Sequence, residues 1–427
     1  MARRFPIVLQ GTPAYEAALR RLLERAASSL SDVEPSVRLT IADVRARGDQ
    51  ALRDLTSRFE GRSLGAIEVP AARFDEAEKN VAPDVAAALR RAADRIRSYH
   101  EEQLRRETGF TVDRDGVRVG VLVVPMERVG LYVPGGKARY PSTVLMTAIP
   151  AMVAGVPDVL LASPSVADET LLAARIAGVS RVFDLGGAQA IAAFAYGTES
   201  IPRVDLVAGP GSRWVTAAKK LVYGDVGIDG LAGPSEAVVL ADDSVDPEVA
   251  AADLLTQAEH DEASSAVLIA TSEPVAKAVV EALERRLAQL PRKAAAARAL
   301  SERGGAFVVR SIDDGLALAG RIAPEHLSLL VRGPDAALRR AGPAGAVFLG
   351  SSTPQAAGDY LAGPSHVLPT GGAARFGSPL GVWTFLRRTS VIEYTPRALA
   401  AQAADIALLA RAEGFEAHAR AVEARKK

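Results

Sequence analysis

Val204-Asp205-Leu206-Val207-Ala208-Gly209-Pro210-Gly211-Ser212 joins a short apolar run to a glycine-proline turn, and residues 213–223 continue with helical spacing. An apolar run of this length bounded by turn residues reads as a buried strand, and the turn hands the chain to a covering helix. The unit recurs on both sides. Upstream, residues 119–125, 129–134, 159–163 and 182–185 read as strands, with helices over 142–155, 169–177 and 188–196. Downstream, a second series of strands covers 237–241, 266–271, 306–310, 327–331 and 346–349, again separated by helical segments. Such alternation implies parallel sheets covered by helices on both faces, because parallel neighbours need crossover connections.

The N-terminal part reads as helical over 14–29, 34–59 and 83–102, with Tyr15 packed on a neighbouring element. His100, followed by Glu101 and Glu102, reads as a solvated helix end. Beyond Gly377 the β pattern fades, and 396–427 is an Ala-rich helical tail broken at Gly414, where a left-handed glycine would separate two short helices. A tail this short has little core of its own and is expected to pack on another domain or on a partner subunit. The fold class expected is α/β: two Rossmann-like open parallel-sheet domains with a helical N-terminal region and a small helical C-terminal tail.

Composition removes several function classes. Lys+Arg and Asp+Glu are both 51, so no basic excess points to nucleic acid or an anionic membrane. The absence of cysteine excludes disulfide scaffolds, thiolate metal sites and thioester chemistry on the chain. The N-terminus has no apolar signal core, and no run of about 18 apolar residues occurs, so a cytoplasmic protein is expected.

Chemistry concentrates in Arg321-Ile322-Ala323-Pro324-Glu325-His326-Leu327-Ser328. Glu325 and His326 are adjacent groups that can both carry protons near neutral pH, which suits a reaction with two proton transfers. A surface Glu-His pair at a strand start is the plainer alternative. Glycine-rich turns at Pro134-Gly135-Gly136, Gly186-Gly187-Ala188-Gln189, Gly209-Pro210-Gly211 and Gly233-Pro234-Ser235-Glu236 let backbone approach a ligand at the carboxyl ends of strands. No GxGxxG is present. Gln257 and His260 lie three apart on one helix, so they share a face. Of the five histidines, His260, His326, His366 and His418 sit near polar residues or turns. A cysteine-free zinc site could draw on His260, Asp359 and His418 with Gln257 as an amide ligand, although spacing alone does not make them converge.

These motifs, together with Gly130-Leu131-Tyr132-Val133-Pro134-Gly135-Gly136, Gln257-Ala258-Glu259-His260-Asp261, Gly358-Asp359-Tyr360 and Gly363-Pro364-Ser365-His366-Val367-Leu368-Pro369-Thr370-Gly371, closely resemble the histidinol dehydrogenase family nearly end to end. The resemblance implies a zinc- and NAD-dependent oxidation of L-histidinol to L-histidine through bound L-histidinaldehyde. It implies acid–base roles for Glu325 and His326, and zinc ligands at Gln257, His260, Asp359 and His418. It implies substrate contacts at Ser235, His326, Glu413 and the metal-site residues, with His366 a further candidate, and NAD contacts at Tyr132 and Gln189. Ser212 stands where the family carries an NAD-contacting Asn, with Trp214 for a nearby Tyr and Thr384 for a common Asp. A serine keeps one hydrogen bond but lacks an amide's reach and paired donor and acceptor. The family's homodimer, with an exchanged tail, would send Glu413 and His418 to the neighbour's site.

The expected division is 1–25 as an N-terminal helical segment and 26–131 with 236–378 as a first domain carrying zinc and acid–base residues. Residues 132–235 form a second, NAD-side domain, and 379–427 the tail. Rival readings are a related zinc- and NAD-dependent dehydrogenase of another small polar alcohol, a metallohydrolase, and a two-lobed binding protein.

Overall fold

The computed structural model describes residues 5–24, 30–135, 139–291 and 293–425. The expected end of the first helix (25–29), Gly136 of the first glycine turn and the last two residues of the tail lie outside them. The strands along the chain are β1 (Ile7–Leu9), β2 (Phe110–Arg114), β3 (Val117–Pro125), β4 (Arg128–Tyr132), β5 (Asp158–Ala162), β6 (Arg181–Phe183) and β7 (Leu206–Ala208). They continue with β8 (Gly227–Ile228), β9 (Glu236–Ala241), β10 (Ser265–Ala270), β11 (Gly305–Val308), β12 (His326–Leu330), β13 (Ala346–Leu349) and β14 (Leu386–Tyr394).

Two open parallel sheets carry the molecule, as the alternation predicts. One runs in the order β1-β11-β10-β9-β12-β13 and the other β6-β5-β4-β7-β8. Strands β9, β10 and β12 are buried at every position, which is the signature of central strands covered on both faces. One face of the first sheet packs Val239 and Leu330 under the helices Pro247–His260 and Glu273–Leu287. The other packs Leu240 and Leu329 under Pro13–Glu24 and Ile312–Ile322.

The structure departs from the expected division. The segment 1–25 contributes a strand as well as a helix, since β1 pairs with β11 at the edge of the first sheet. Residues 30–104, together with β4, belong with the second sheet. Val37, Ile41, Leu52 and Leu55 of the helix Glu34–Glu60 bury against Ile191, Phe194 and Ala218, and β4 lies inside that sheet. Chain order could not reveal this, because an amphipathic helix carries no mark of which apolar face it will meet. Strand β3 also leaves the parallel sheets and pairs antiparallel with β2 and β14. Strand β14 was unforeseen because Arg387, Arg388, Thr389, Ser390 and Glu393 leave no buried alternate face.

Tyr15 meets Phe307 edge-on, with ring centroids 5.3 Å apart, as expected. His100 is the reverse of its expectation: it is fully buried, its Nδ1 lies 2.7 Å from Gln103 Oε1, and the chain at Val382 closes over that helix end. The tail forms the helices Pro396–Ala412 and Glu416–Glu423, separated by left-handed Gly414. Arg411 ties them together through Glu416 and Glu423, and Thr395 N–H donates to Gly116 O at 2.9 Å.

Candidate active site

The helix Ile312–Ile322 ends at buried Ala323, held in the left-handed region at φ 48, a conformation that a non-glycine residue adopts only under surrounding constraint. Pro324 then starts the extended run. Gly345 N–H donates to Pro324 O at 2.9 Å and Ala346 N–H to Glu325 O at 2.8 Å, fixing the backbone of Glu325 and His326 at the amino end of β12.

Both side chains are buried, so the surface-pair alternative does not hold. Burial pushes the Glu325 carboxyl up to about 7, against the opposing pull of His326 and of Glu236 N–H, which donates to Glu325 Oε2 at 2.9 Å. The nearby carboxylates of Glu236 and Asp359 add to the upward push. His326 Nδ1 lies 3.2 Å from the Glu236 carbonyl and 3.7 Å from Glu325 Oε2, and its ring stacks on Phe348 at 5.8 Å. A carbonyl can only accept, so the bond assigns the proton to Nδ1 and leaves Nε2 as the basic nitrogen.

Around this pair the chain gathers further groups. His366 Nδ1 bonds the Asp359 carbonyl at 3.0 Å, and its Nε2 meets Thr143 Oγ1 at 3.2 Å. Burial lowers the His366 pKa; the Asp359 carboxylate opposes this, and His326 and His260 reinforce it. Asp359, His326 and His260 are therefore all electrostatic neighbours of His366. Gln257, almost wholly buried, leaves its Nε2 without a hydrogen-bond partner. Half-buried Ser235 immediately precedes β9, beside Gly233, whose N–H donates to Thr370 Oγ1 at 2.5 Å.

Glu413 and His418 are not brought to this cluster. They stay exposed on the tail, where His418 packs on Phe415 at 5.1 Å. Among the described residues no group of three or more His, Asp or Glu side chains is arranged to hold a metal.

The residues that the resemblance assigns to NAD gather at the carboxyl edge of the second sheet. Buried Tyr132 ends β4, and its hydroxyl accepts from Gly187 N–H at 3.1 Å; burial raises its pKa to about 12. Gln189 is buried in the first turn of the helix Gly187–Tyr196. Ser212 precedes the helix Arg213–Val222, exposed and with its side chain unused as a cap. The turn beside it is clamped: Gly209 N–H donates to Asp229 Oδ2 at 2.7 Å, Lys219 Nζ donates to Gly209 O at 3.0 Å, and Lys219 and Asp229 form a buried ion pair.

The strand-end rule thus holds for the turns after β4, β6 and β7 and fails for Gly233-Pro234-Ser235-Glu236, which lies at the amino end of β9, beside Glu325 and His326 at the amino end of β12. Thr143 to His366 and Ser365 Oγ to Met146 O at 3.0 Å join the helix Pro141–Val153, beside the second sheet, to the loop that follows the helix Gln355–Tyr360. Sequence reasoning passed over Glu236 as a holder of the pair, Phe348, Thr143, and the Lys219–Asp229 clamp. Glu236 stood inside a quoted motif, but its role needs the β9–β12 register. A lysine and an aspartate ten residues apart gave no signal at all.

The family model described as histidinol dehydrogenase matches residues 23–426. The chain is 47% identical over 420 residues to a histidinol dehydrogenase of Geobacter sulfurreducens, covering 97% of this chain and 98% of the relative. It is 47% identical over 410 residues to that of Aquifex aeolicus, covering 96% of each. The crystal structure of histidinol dehydrogenase from Elizabethkingia anophelis superposes with a TM-score of 0.93 at 33% identity, covering 100% of this chain and 98% of that one. A buried carboxyl–imidazole pair at the amino edge of a parallel sheet, with a match of this extent, leads to one conclusion: the chain is an oxidoreductase that belongs to the histidinol dehydrogenase family.

Proposed function

We propose that the protein oxidises L-histidinol to L-histidine through bound L-histidinaldehyde, reducing two NAD⁺ and consuming one water. The observation that carries this reading is the buried Glu325–His326 pair, which offers two bases in two different environments.

In the first oxidation His326 Nε2 takes the hydroxyl proton while the carbinol carbon gives its hydride to NAD⁺. The aldehyde stays bound and a second NAD⁺ replaces NADH. Glu325, ionised above about 7, takes a proton from water as the oxygen adds to the aldehyde carbon. The hydrate then gives up its carbon-bound hydrogen as the second hydride, leaving the carboxylate. Water activated by a carboxylate serves here in place of a cysteine thiol, which the chain lacks.

The residues suit the zinc that the family resemblance implies: a buried Gln257 with an unpartnered amide, His260 and Asp359 beside the acid–base pair, and His418 offered by a second copy. When bound, zinc would orient the substrate's imidazole and amine and so raise the effective concentration of the reacting groups. Tyr132, Gln189 and Ser212 are assigned to NAD. Ser235, His366 and the partner's Glu413 are assigned to substrate.

A homodimer with exchanged tails is supported by the exposure of Leu408, Leu409 and Phe415 on the tail and of Phe110, Val112, Leu122 and Ile392 on the antiparallel sheet. A cytoplasmic setting is proposed with it; no helix among the described residues is long and apolar enough to cross a membrane.

The test is absorbance of NADH formed per limiting L-histidinol by zinc-loaded protein. Two per substrate, lost on chelation and falling by about 10²–10⁴ in rate with His326→Asn, is the expected outcome. One per substrate would remove Glu325 from its role. None would favour the related dehydrogenase of another small polar alcohol.

A further inference from the structure

Three buried polar side chains lie directly behind the site and have no part in the reaction described above: Asp253, Ser328 and Gln355, at 4%, 0% and 2% exposure. Ser328 Oγ donates to Asp253 Oδ2 at 3.1 Å, and Gln355 Nε2 donates to Ser328 Oγ at 3.3 Å. The Gln355 backbone supplies a further hydrogen bond to the Asp253 carboxylate. The network therefore joins the helix Pro247–His260, strand β12 and the helix Gln355–Tyr360 at one point.

Its members sit at structural repeats from the site residues. Asp253 lies one helical turn before Gln257, and Gln355 one turn before Asp359, so each shares a helix face with that residue. Ser328 follows His326 by two positions on β12, hence on the same sheet face. We infer that Asp253, Ser328 and Gln355 form a positioning lock that sets the rotation and axial register of the three elements delivering Gln257, His326 and Asp359. The inference rests on the proposed roles of those three residues.

Two physical arguments support the lock. Elsewhere these elements meet through apolar contacts: Leu254 and Ala258 join the core of the first sheet, and Gly358 approaches Phe348 so closely that a Cβ there would lie 2.8 Å from the ring. Apolar contact is non-directional and tolerates small slides and rotations, whereas a buried hydrogen-bond network accepts one arrangement. An apolar trio would also be cheaper to bury. The desolvated Asp253 carboxyl is raised to about 6 despite its hydrogen bonds, so the group costs stability that packing alone would not require. Outer partners of this kind typically change metal affinity or activity by about 10–100-fold when removed.

The test compares full-length wild type, Ser328→Ala, Asp253→Asn, Asp253→Leu and Leu52→Ala, a control in the core of the second sheet. Melting temperature, zinc retained against a competing chelator, kcat for histidinol and KM for NAD⁺ are measured on each. Hydrogen exchange of amides 256–260 and 355–360 is followed in the metal-free protein. Ser328→Ala and Asp253→Leu are expected to lose about 10–100-fold in zinc affinity and kcat with KM for NAD⁺ unchanged, and to exchange faster in those two segments. Asp253→Asn, which keeps an acceptor of the same shape, is expected to recover most of both. Unchanged zinc affinity, kcat and local exchange in folded Ser328→Ala would overturn the lock. So would equal losses in Leu52→Ala at matched melting temperature. The exchange readout needs neither zinc nor turnover, so failure of wild type to oxidise histidinol would sink the proposed function while leaving the lock decided. Where Asp253→Leu does not fold, Ser328→Ala carries the test.

Discussion

Glu325 is the residue at which stability and chemistry oppose each other. Its carboxyl is raised to about 7 by burial, so the folded protein binds the proton more tightly than the unfolded chain does. The sign follows: this group costs nothing below the unfolded value of about 4.3, and stability is lost as pH rises from there through about 7. Glu325→Gln keeps an acceptor for Glu236 N–H and removes the charge. It is expected to raise the unfolding free energy at pH 8 but not at pH 4, by on the order of 1–3 kcal/mol, read from denaturant curves at the two values. The same substitution should leave one NADH per histidinol, because His326 still serves the first oxidation. In wild type the second oxidation should fall as pH drops through about 7, and that limb should be absent from the first. At this scale the sequence was informative: adjacency of Glu325 and His326 is written in the chain. Their shared holder, the backbone of Glu236, depends on which strand lies alongside and is not.

Among the elements, the turn after β7 shows how much a cleft depends on what stands behind it. The buried Lys219–Asp229 pair grips both the N–H and the C=O of Gly209, next to the exposed Ser212. Lys219→Met strands a buried carboxylate, so a loss of about 3–5 kcal/mol is expected, and adding Asp229→Asn should return part of it. The turn would be released in both proteins. KM for NAD⁺ should therefore rise in both, with KM for histidinol unchanged, in steady-state kinetics with each substrate varied. Elements of the parallel sheets are legible because β9, β10 and β12 are short, mostly apolar runs bounded by polar or turn residues. Strand β14 is not, since neither of its faces is apolar enough to betray it. The apolar run of β3 was read as one more parallel strand for the complementary reason: hydrophobicity marks a strand but not its partner.

The whole molecule carries what no single element shows. The sheet that residues 34–104 cover is not legible in the chain because their apolar faces do not name a partner, whereas the size of the tail alone leads to the expectation of an outside partner for it. Leu408 and Leu409 are 68% and 66% exposed on the tail, which also holds Glu413 and His418 away from the cluster of Gln257, His260 and Asp359. The site proposed here is therefore complete only between two copies.

The most direct test of that claim is hybrid complementation. Glu325→Gln and His418→Ala proteins, each lacking full turnover to histidine, are mixed under conditions that exchange subunits, and histidine formation is followed. If each tail serves its neighbour, half the sites in a hybrid pair an intact core with an intact tail. Activity should then return to about a quarter of wild type after random exchange into symmetric dimers. No recovery, with exchange verified by mass, would mean that each tail serves its own chain or none, and would contradict the shared site.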